Sequence, residues 1–141
     1  MHVQGLNPGP LNHFGLASVD LDRATRFYCD TLGFRVVRRP SFSFEGRWLY
    51  RAEVGPMIHL IYDAGHQPPG GEINTRGNHF AMRCEDYDLT ISLLKNLGVE
   101  FVERVLPDYG YRQVFFRDPD GHVVELGEWP DVHDMDLSSS D

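Results

Sequence analysis

His13, His59, His79 and Glu125 are all of metal-ligand type, and a single spacing relates them. His79 follows His13 by 66 positions, and Glu125 follows His59 by the same 66. Three imidazoles and one carboxylate make an N/O donor set that suits Zn, Fe(II), Mn, Co or Ni, and not Ca, Mg or Cu(I). An ion held this way keeps one or two positions open for a pair of substrate oxygens, which it can polarise or stabilise as an enolate or alkoxide. His59 and Glu125 are also side chains able to carry a proton. One such residue in an apolar strand is most often an ordinary edge or interior group. Four at one repeat offset call for a common cause, and a buried Glu125 needs a cation or strong donors.

The elements that must position these residues are themselves repeated. Asn12-His13-Phe14 recurs as Asn78-His79-Phe80, and each triplet opens a short apolar run ending in an acid, Asp20 or Asp86. A helical pattern follows each acid: Leu21, Ala24, Phe27, Tyr28 and Leu32 before Gly33, then Leu89, Leu93, Leu94 and Leu97 before Gly98. Spacings of three and four predict one apolar helix face, with the aspartates as N-caps and the glycines as C-terminal stops. Three strands are predicted after each helix: Phe34–Arg39, Arg47–Val54 and Met57–Tyr62, then Val99–Val105, Tyr111–Arg117 and His122–Gly127. Asp118-Pro119-Asp120-Gly121 is a turn signal between the last two. The chain therefore reads β-α-β-β-β twice, as modules 11–62 and 78–129 of one domain spanning 11–129. A Gly- and Pro-rich linker covers 63–77, and 130–141 reads as a flexible acidic tail. His13 and His79 fall on the first strands of their modules, and His59 and Glu125 on the last. Each module is too small to stand alone, so the two pack together or pair with a second chain.

The remaining histidines carry less. His2 at the terminus and His133 in the tail read as solvated, His66 lies in the linker, and His122 follows the turn. Tyr109, Tyr111 and Arg112 are candidates to line a cleft, or are an ordinary edge loop.

Composition bounds the function. The 141 residues are 41% hydrophobic and 24% charged, which excludes global disorder. A net charge of −8 argues against a nucleic-acid partner or an anionic membrane surface. No apolar run approaches the roughly 20 residues that span a bilayer. The start lacks a secretory pattern, and the two cysteines, Cys29 and Cys84, fit a reduced cytoplasmic protein with packed thiols.

Four segments together resemble the vicinal oxygen chelate superfamily, which includes glyoxalases, bleomycin-resistance proteins and extradiol dioxygenases. They are Leu11-Asn12-His13-Phe14-Gly15-Leu16-Ala17, the pattern Phe27-Tyr28 to Leu32-Gly33-Phe34, Gly77-Asn78-His79-Phe80-Ala81, and Phe115-Phe116 through Asp118-Pro119-Asp120-Gly121-His122 to Glu125. The resemblance implies an α+β fold of two tandem βαβββ modules, forming a curved mixed β-sheet cleft with helices outside. It also implies a homodimer and a divalent metal ion on His13, His59, His79 and Glu125. Members resembling glyoxalase I place a carboxylate where His59 stands, and keep Arg and Asn for glutathione where this chain has Ala17 and Asp63; Asp63 would repel glutathione carboxylates. Extradiol dioxygenases are similar in the triad His13, His79 and Glu125, with His59 as a nearby acid/base, but carry a Tyr at the position of Phe115. Fosfomycin-modifying members usually carry a basic residue downstream of the Glu, where this chain is acidic. Bleomycin-binding members lack the ligands.

The sequence thus predicts a metal-dependent, glyoxalase-like enzyme for lyase or isomerase chemistry on a small substrate chelated through adjacent oxygens. His59 and Glu125 are its candidate catalytic residues. The alternatives are an Fe(II) dioxygenase acting on a catechol-like substrate and a non-catalytic binder of a small ligand.

Overall fold

The computed structural model describes residues 5–139, so His2, Ser140 and Asp141 lie outside the described residues. The chain divides after His66 into two compact units. The first contains β1 (His13–Ser18), α1 (Leu21–Leu32), β2 (Arg35–Val37), β3 (Gly46–Tyr50) and β4 (Met57–Tyr62). The second repeats the order with β5 (His79–Arg83), α2 (Tyr87–Leu97), β6 (Phe101–Val105), β7 (Arg112–Arg117) and β8 (Val123–Gly127). The sheets run β1-β4-β3-β2 and β5-β8-β7-β6, with the first and last strands of each unit parallel and the other pairs antiparallel. This is the tandem βαβββ, α+β arrangement the repeat predicts.

The helix ends fall where the repeat places them. Asp20 accepts the Arg23 N–H at 3.0 Å, and Asp86 accepts the Leu89 N–H at 3.0 Å. Each bond satisfies an otherwise orphaned donor of a first turn. Gly33 (φ 74°) and Gly98 (φ 68°) close the helices in the left-handed conformation that a side chain would strain.

In the first unit Leu21, Ala24 and Tyr28 of α1 are buried, as are Leu49, Ile58 and Leu60 of the sheet against which α1 packs. Because side chains alternate along a strand, the other face of that sheet carries His13, Gly15, Trp48, His59 and Ile61. In the second unit Tyr87, Leu94, Val114, Phe116 and Val124 are buried, and Glu125 falls on the face opposite Val124. The predicted apolar face of α2 is corrected here. Of Leu89, Leu93, Leu94 and Leu97, only Leu94 is buried, the other three being 54%, 50% and 56% exposed. The Tyr87 hydroxyl sets the helix rotation instead, donating to Glu103 at 2.9 Å and to the Gln113 carbonyl at 3.1 Å.

β2 and β3 end earlier than predicted, and β6, β7 and β8 begin one or two residues later. β3 stops at Tyr50 because Val54 and Gly55 N–H groups turn back onto the Arg51 carbonyl. β2 stops at Val37, three residues short of Pro40, which has no N–H to offer a ladder. The turn before β8 is as expected: Asp118 Oδ1 accepts the Asp120 and His122 N–H groups at 2.8 and 3.0 Å, and Gly121 takes φ 88°. Residues 63–77 contain no helix or strand, and Val132–Asp134 forms a 3₁₀ turn capped by Asp131. Both cysteines are free thiols. Among the described residues no helix is long and apolar enough to cross a membrane.

Candidate functional site

Each unit brings one pair of the predicted residues together, through the same strand register. On β1 and β4, Gly15 lies opposite His59; on β5 and β8, Ala81 lies opposite Glu125. His13 is two residues before Gly15, and His79 two before Ala81, so each pair sits diagonally on one sheet face.

In the first unit the His13 and His59 rings stack with centroids 3.8 Å apart and planes 14° apart. Trp48, opposite His59 on β3, stacks on it at 4.2 Å and 4°. His59 is thus held by one ring on each neighbouring strand. Its Nε2 is buried and has no hydrogen-bond partner among the described residues. Burial, then the nearby His13, then the Arg39 guanidinium lower the His59 pKa from the ordinary histidine value. All three favour the neutral imidazole, the form that ligates a metal or accepts a proton. His13 Nδ1 donates to Asn12 Oδ1 at 2.8 Å, which leaves Nε2 as the lone-pair nitrogen.

In the second unit His79 Nδ1 donates to the Gly77 carbonyl at 2.9 Å, so in the neutral ring the lone pair falls on Nε2. That Nε2 faces Glu125 Oε1 at 3.2 Å. Glu125 is only 2% exposed, and its Oε2 accepts the Trp129 indole N–H. With neutral His79, two acceptor atoms confront each other, an arrangement relieved by a proton on Nε2 or by a cation shared between them. A backbone carbonyl behind the histidine and an indole behind the carboxylate are the kind of partners that hold metal ligands in orientation.

Among the described residues no group of three or more His, Cys, Asp or Glu is gathered. The structure gives one pair per unit, His13 with His59 and His79 with Glu125. Tyr109 and Tyr111 stack at 5.6 Å, and Tyr111 lies 6.4 Å from Trp129. Arg112 is engaged within its own unit. It grips Glu128 through two nitrogens at 2.9 and 3.0 Å, reaches Asp88 at 2.8 Å, and covers the Tyr87 ring at 4.5 Å. His66 and His133 are set in turns through backbone bonds to Asp63 and Asp131. The Asp63 carboxylate receives the Gly65 N–H at 2.9 Å, a turn contact.

Trp129 and Trp48 were not among the predicted site residues. The alternation that places Glu125 and Gly127 on one face continues to Trp129, and glycine at 127 makes room: a Cβ there would lie 2.5 Å from the indole nitrogen. Trp48 is found only once the β3–β4 register is known.

A family model described as the Glyoxalase/Bleomycin resistance protein/Dioxygenase superfamily matches residues 10–126. A protein named Glyoxylase I 4 from Arabidopsis thaliana is 34% identical over 121 residues, covering 82% of this chain and 68% of that protein. A lactoylglutathione lyase from Haemophilus influenzae is 31% identical over 123 residues, covering 82% of this chain and 90% of its own length. Among solved structures, a glyoxalase/dioxygenase from Nostoc punctiforme superposes with a TM-score of 0.71 at 20% identity, over 90% of this chain and 97% of the other. That last likeness shows the fold alone.

Proposed function

The chain belongs to the glyoxalase/bleomycin resistance protein/dioxygenase superfamily, and from that membership we propose a divalent-metal-dependent, glyoxalase-like enzyme of lyase or isomerase type. Its proposed substrate is a small molecule with adjacent oxygens. The proposed ligands are His13, His59, His79 and Glu125, with Zn, Fe, Mn, Ni or Co as the ion.

The observation that carries this reading is the His79–Glu125 contact, where Nε2 of a ring oriented by the Gly77 carbonyl faces a buried carboxylate oxygen at 3.2 Å. The second support is the buried, unpartnered Nε2 of His59, since a buried polar atom without a partner is costly. The donor set is that of a borderline metal. What joins the two pairs into one proposed site is the 66-residue repeat and the superfamily membership.

When bound, such an ion would polarise the substrate oxygens and stabilise negative charge developing on them. The remaining work falls to side chains of this chain. Trp129 fixes Glu125 by its indole N–H, and the Gly77 carbonyl fixes the His79 tautomer. His59 Nε2 has one lone pair, so it serves one role at a time: on the ion it would be a ligand, and off the ion the neutral ring, clamped between Trp48 and His13, is the proposed proton carrier, with Glu125 as the other. Proton transfer by a positioned group typically contributes about 10²- to 10⁴-fold in rate. We further propose a homodimer, which light scattering on the purified protein checks directly.

Turnover tests the activity. Hemithioacetals formed from methylglyoxal with glutathione and with uncharged thiols are offered to metal-loaded protein. Isomerisation that depends on added metal and is lost in Glu125→Gln and His59→Ala is expected. Turnover that survives both substitutions overturns the assignment.

A further inference from the structure

Arg39 lies in the β2–β3 connection of the first unit, on the side of the sheet that carries His59. Its guanidinium carbon lies 4.6 Å from the centre of the Phe42 ring and 5.0 Å from that of Phe44, and one nitrogen donates to the Phe44 carbonyl at 2.9 Å. The position is therefore set by two ring faces and one backbone acceptor. It also depends on Gly46, where a Cβ would come 3.1 Å from two guanidinium nitrogens. Gly46 is two residues before Trp48 on β3, so it shares the Trp48 and His59 face, about 7 Å along the strand. Phe42 in turn lies 6.1 Å from Trp48, which stacks on His59.

A guanidinium carries five N–H donors in a planar fork, and one of them is used here. Arg47, Arg51, Arg83 and Arg112 each meet a carboxylate, whereas none pairs with Arg39 among the described residues. The charge is also unevenly divided. Residues 1–66 hold seven Arg and six Asp or Glu, a net +1, while 67–141 hold six Lys or Arg and fifteen acids, a net −9. The sheet face bearing Arg39 is thus on the half of the chain that does not repel an anion. Phe42 and Phe44 remain 45% and 47% exposed, leaving aromatic surface beside the charge.

We propose that Arg39 is a specificity-determining residue that binds a carboxylate of the substrate, with Phe42 and Phe44 against its carbon skeleton. This deepens the enzyme reading and rests on the His59 face being the active face. A single fork fits a planar monoanion; a phosphate dianion is usually met by several donors, such as a helix N-terminus or a nest of backbone N–H groups.

The test uses metal-free, full-length protein, so that it stands apart from metal uptake. Benzoate, its neutral counterpart benzamide, and phenylphosphonate are titrated calorimetrically into the wild type, Arg39→Gln and Arg39→Lys. Benzoate is expected to bind the wild type about 10- to 100-fold more tightly than benzamide. Arg39→Gln removes that preference, and Arg39→Lys, which keeps charge without the fork, retains part of it. Metal affinity, measured separately, is weakened in neither variant, since Arg39 is not a proposed ligand. Equal binding of benzoate and benzamide, a preference that survives in Arg39→Gln, or no benzoate binding to the wild type overturns the proposal. Tighter binding of phenylphosphonate overturns the carboxylate assignment. Loss of metal uptake in the wild type with the benzoate preference intact would instead count against the metal reading.

Discussion

His79 Nε2 and Glu125 Oε1 stand 3.2 Å apart on neighbouring parallel strands, two registers out of line, with the ring oriented by the Gly77 carbonyl behind it. This contact predicts opposite effects of one substitution with and without metal. Glu125→Gln offers an amide N–H to His79 and removes a buried charge, so the metal-free protein should melt at the same temperature or higher. The same change should abolish any rise in melting temperature on adding Zn or Ni. Thermal scans with and without metal check both halves.

Trp129 acts through Glu125. Trp129→Phe keeps the ring but removes the indole N–H that Glu125 Oε2 accepts. Partners of this kind are typically worth about 10- to 100-fold in metal affinity. Competition against a metal buffer should show a loss of about that size, with the circular dichroism spectrum unchanged.

Burial separates two leucines that resemble each other in the sequence. Leu49 is 0% exposed and Leu93 is 50% exposed. Leu49→Ala should cost about 2–5 kcal/mol in urea unfolding, and Leu93→Ala less than about 0.5 kcal/mol. Similar losses for the two would contradict the helix rotation described for α2.

Acid should weaken the second unit through Glu128. Two hydrogen bonds from the Arg112 side chain and one from its backbone hold the Glu128 carboxyl below its ordinary value. The folded state therefore prefers ionised Glu128. Its stabilisation is fully present above the unfolded carboxyl value of 4.5 and is lost as pH falls through the lower folded-state value. Melting curves of wild type and Glu128→Gln should differ at pH 7 and converge as the pH falls from 4.5 through the lower folded-state value.

Most of this fold is legible in the sequence because its signals are local and occur twice. Asp20 and Gly33, then Asp86 and Gly98, bound the helices by backbone chemistry that needs no tertiary partner. The pairs His13–His59 and His79–Glu125 are legible for another reason: a duplicated register preserves which residues are diagonal neighbours. The rotation of α2 is not, because the Tyr87 hydroxyl donates to Glu103 and to the Gln113 carbonyl, 16 and 26 residues away. The stacking of Trp48 on His59 escapes for the same reason, since it follows only from the strand opposite. Arg112 shows the converse. Its place next to Tyr109 and Tyr111 suggests a cleft residue, yet four contacts to Glu128, Asp88 and Tyr87 occupy it.

Calorimetric titration of Zn or Ni into metal-free protein tests the central claim most directly. One ion bound per chain at micromolar affinity or better is expected, with binding weakened by His13→Ala in the first unit and by His79→Ala in the second. No uptake by the wild type, or uptake that neither substitution alters, would contradict it.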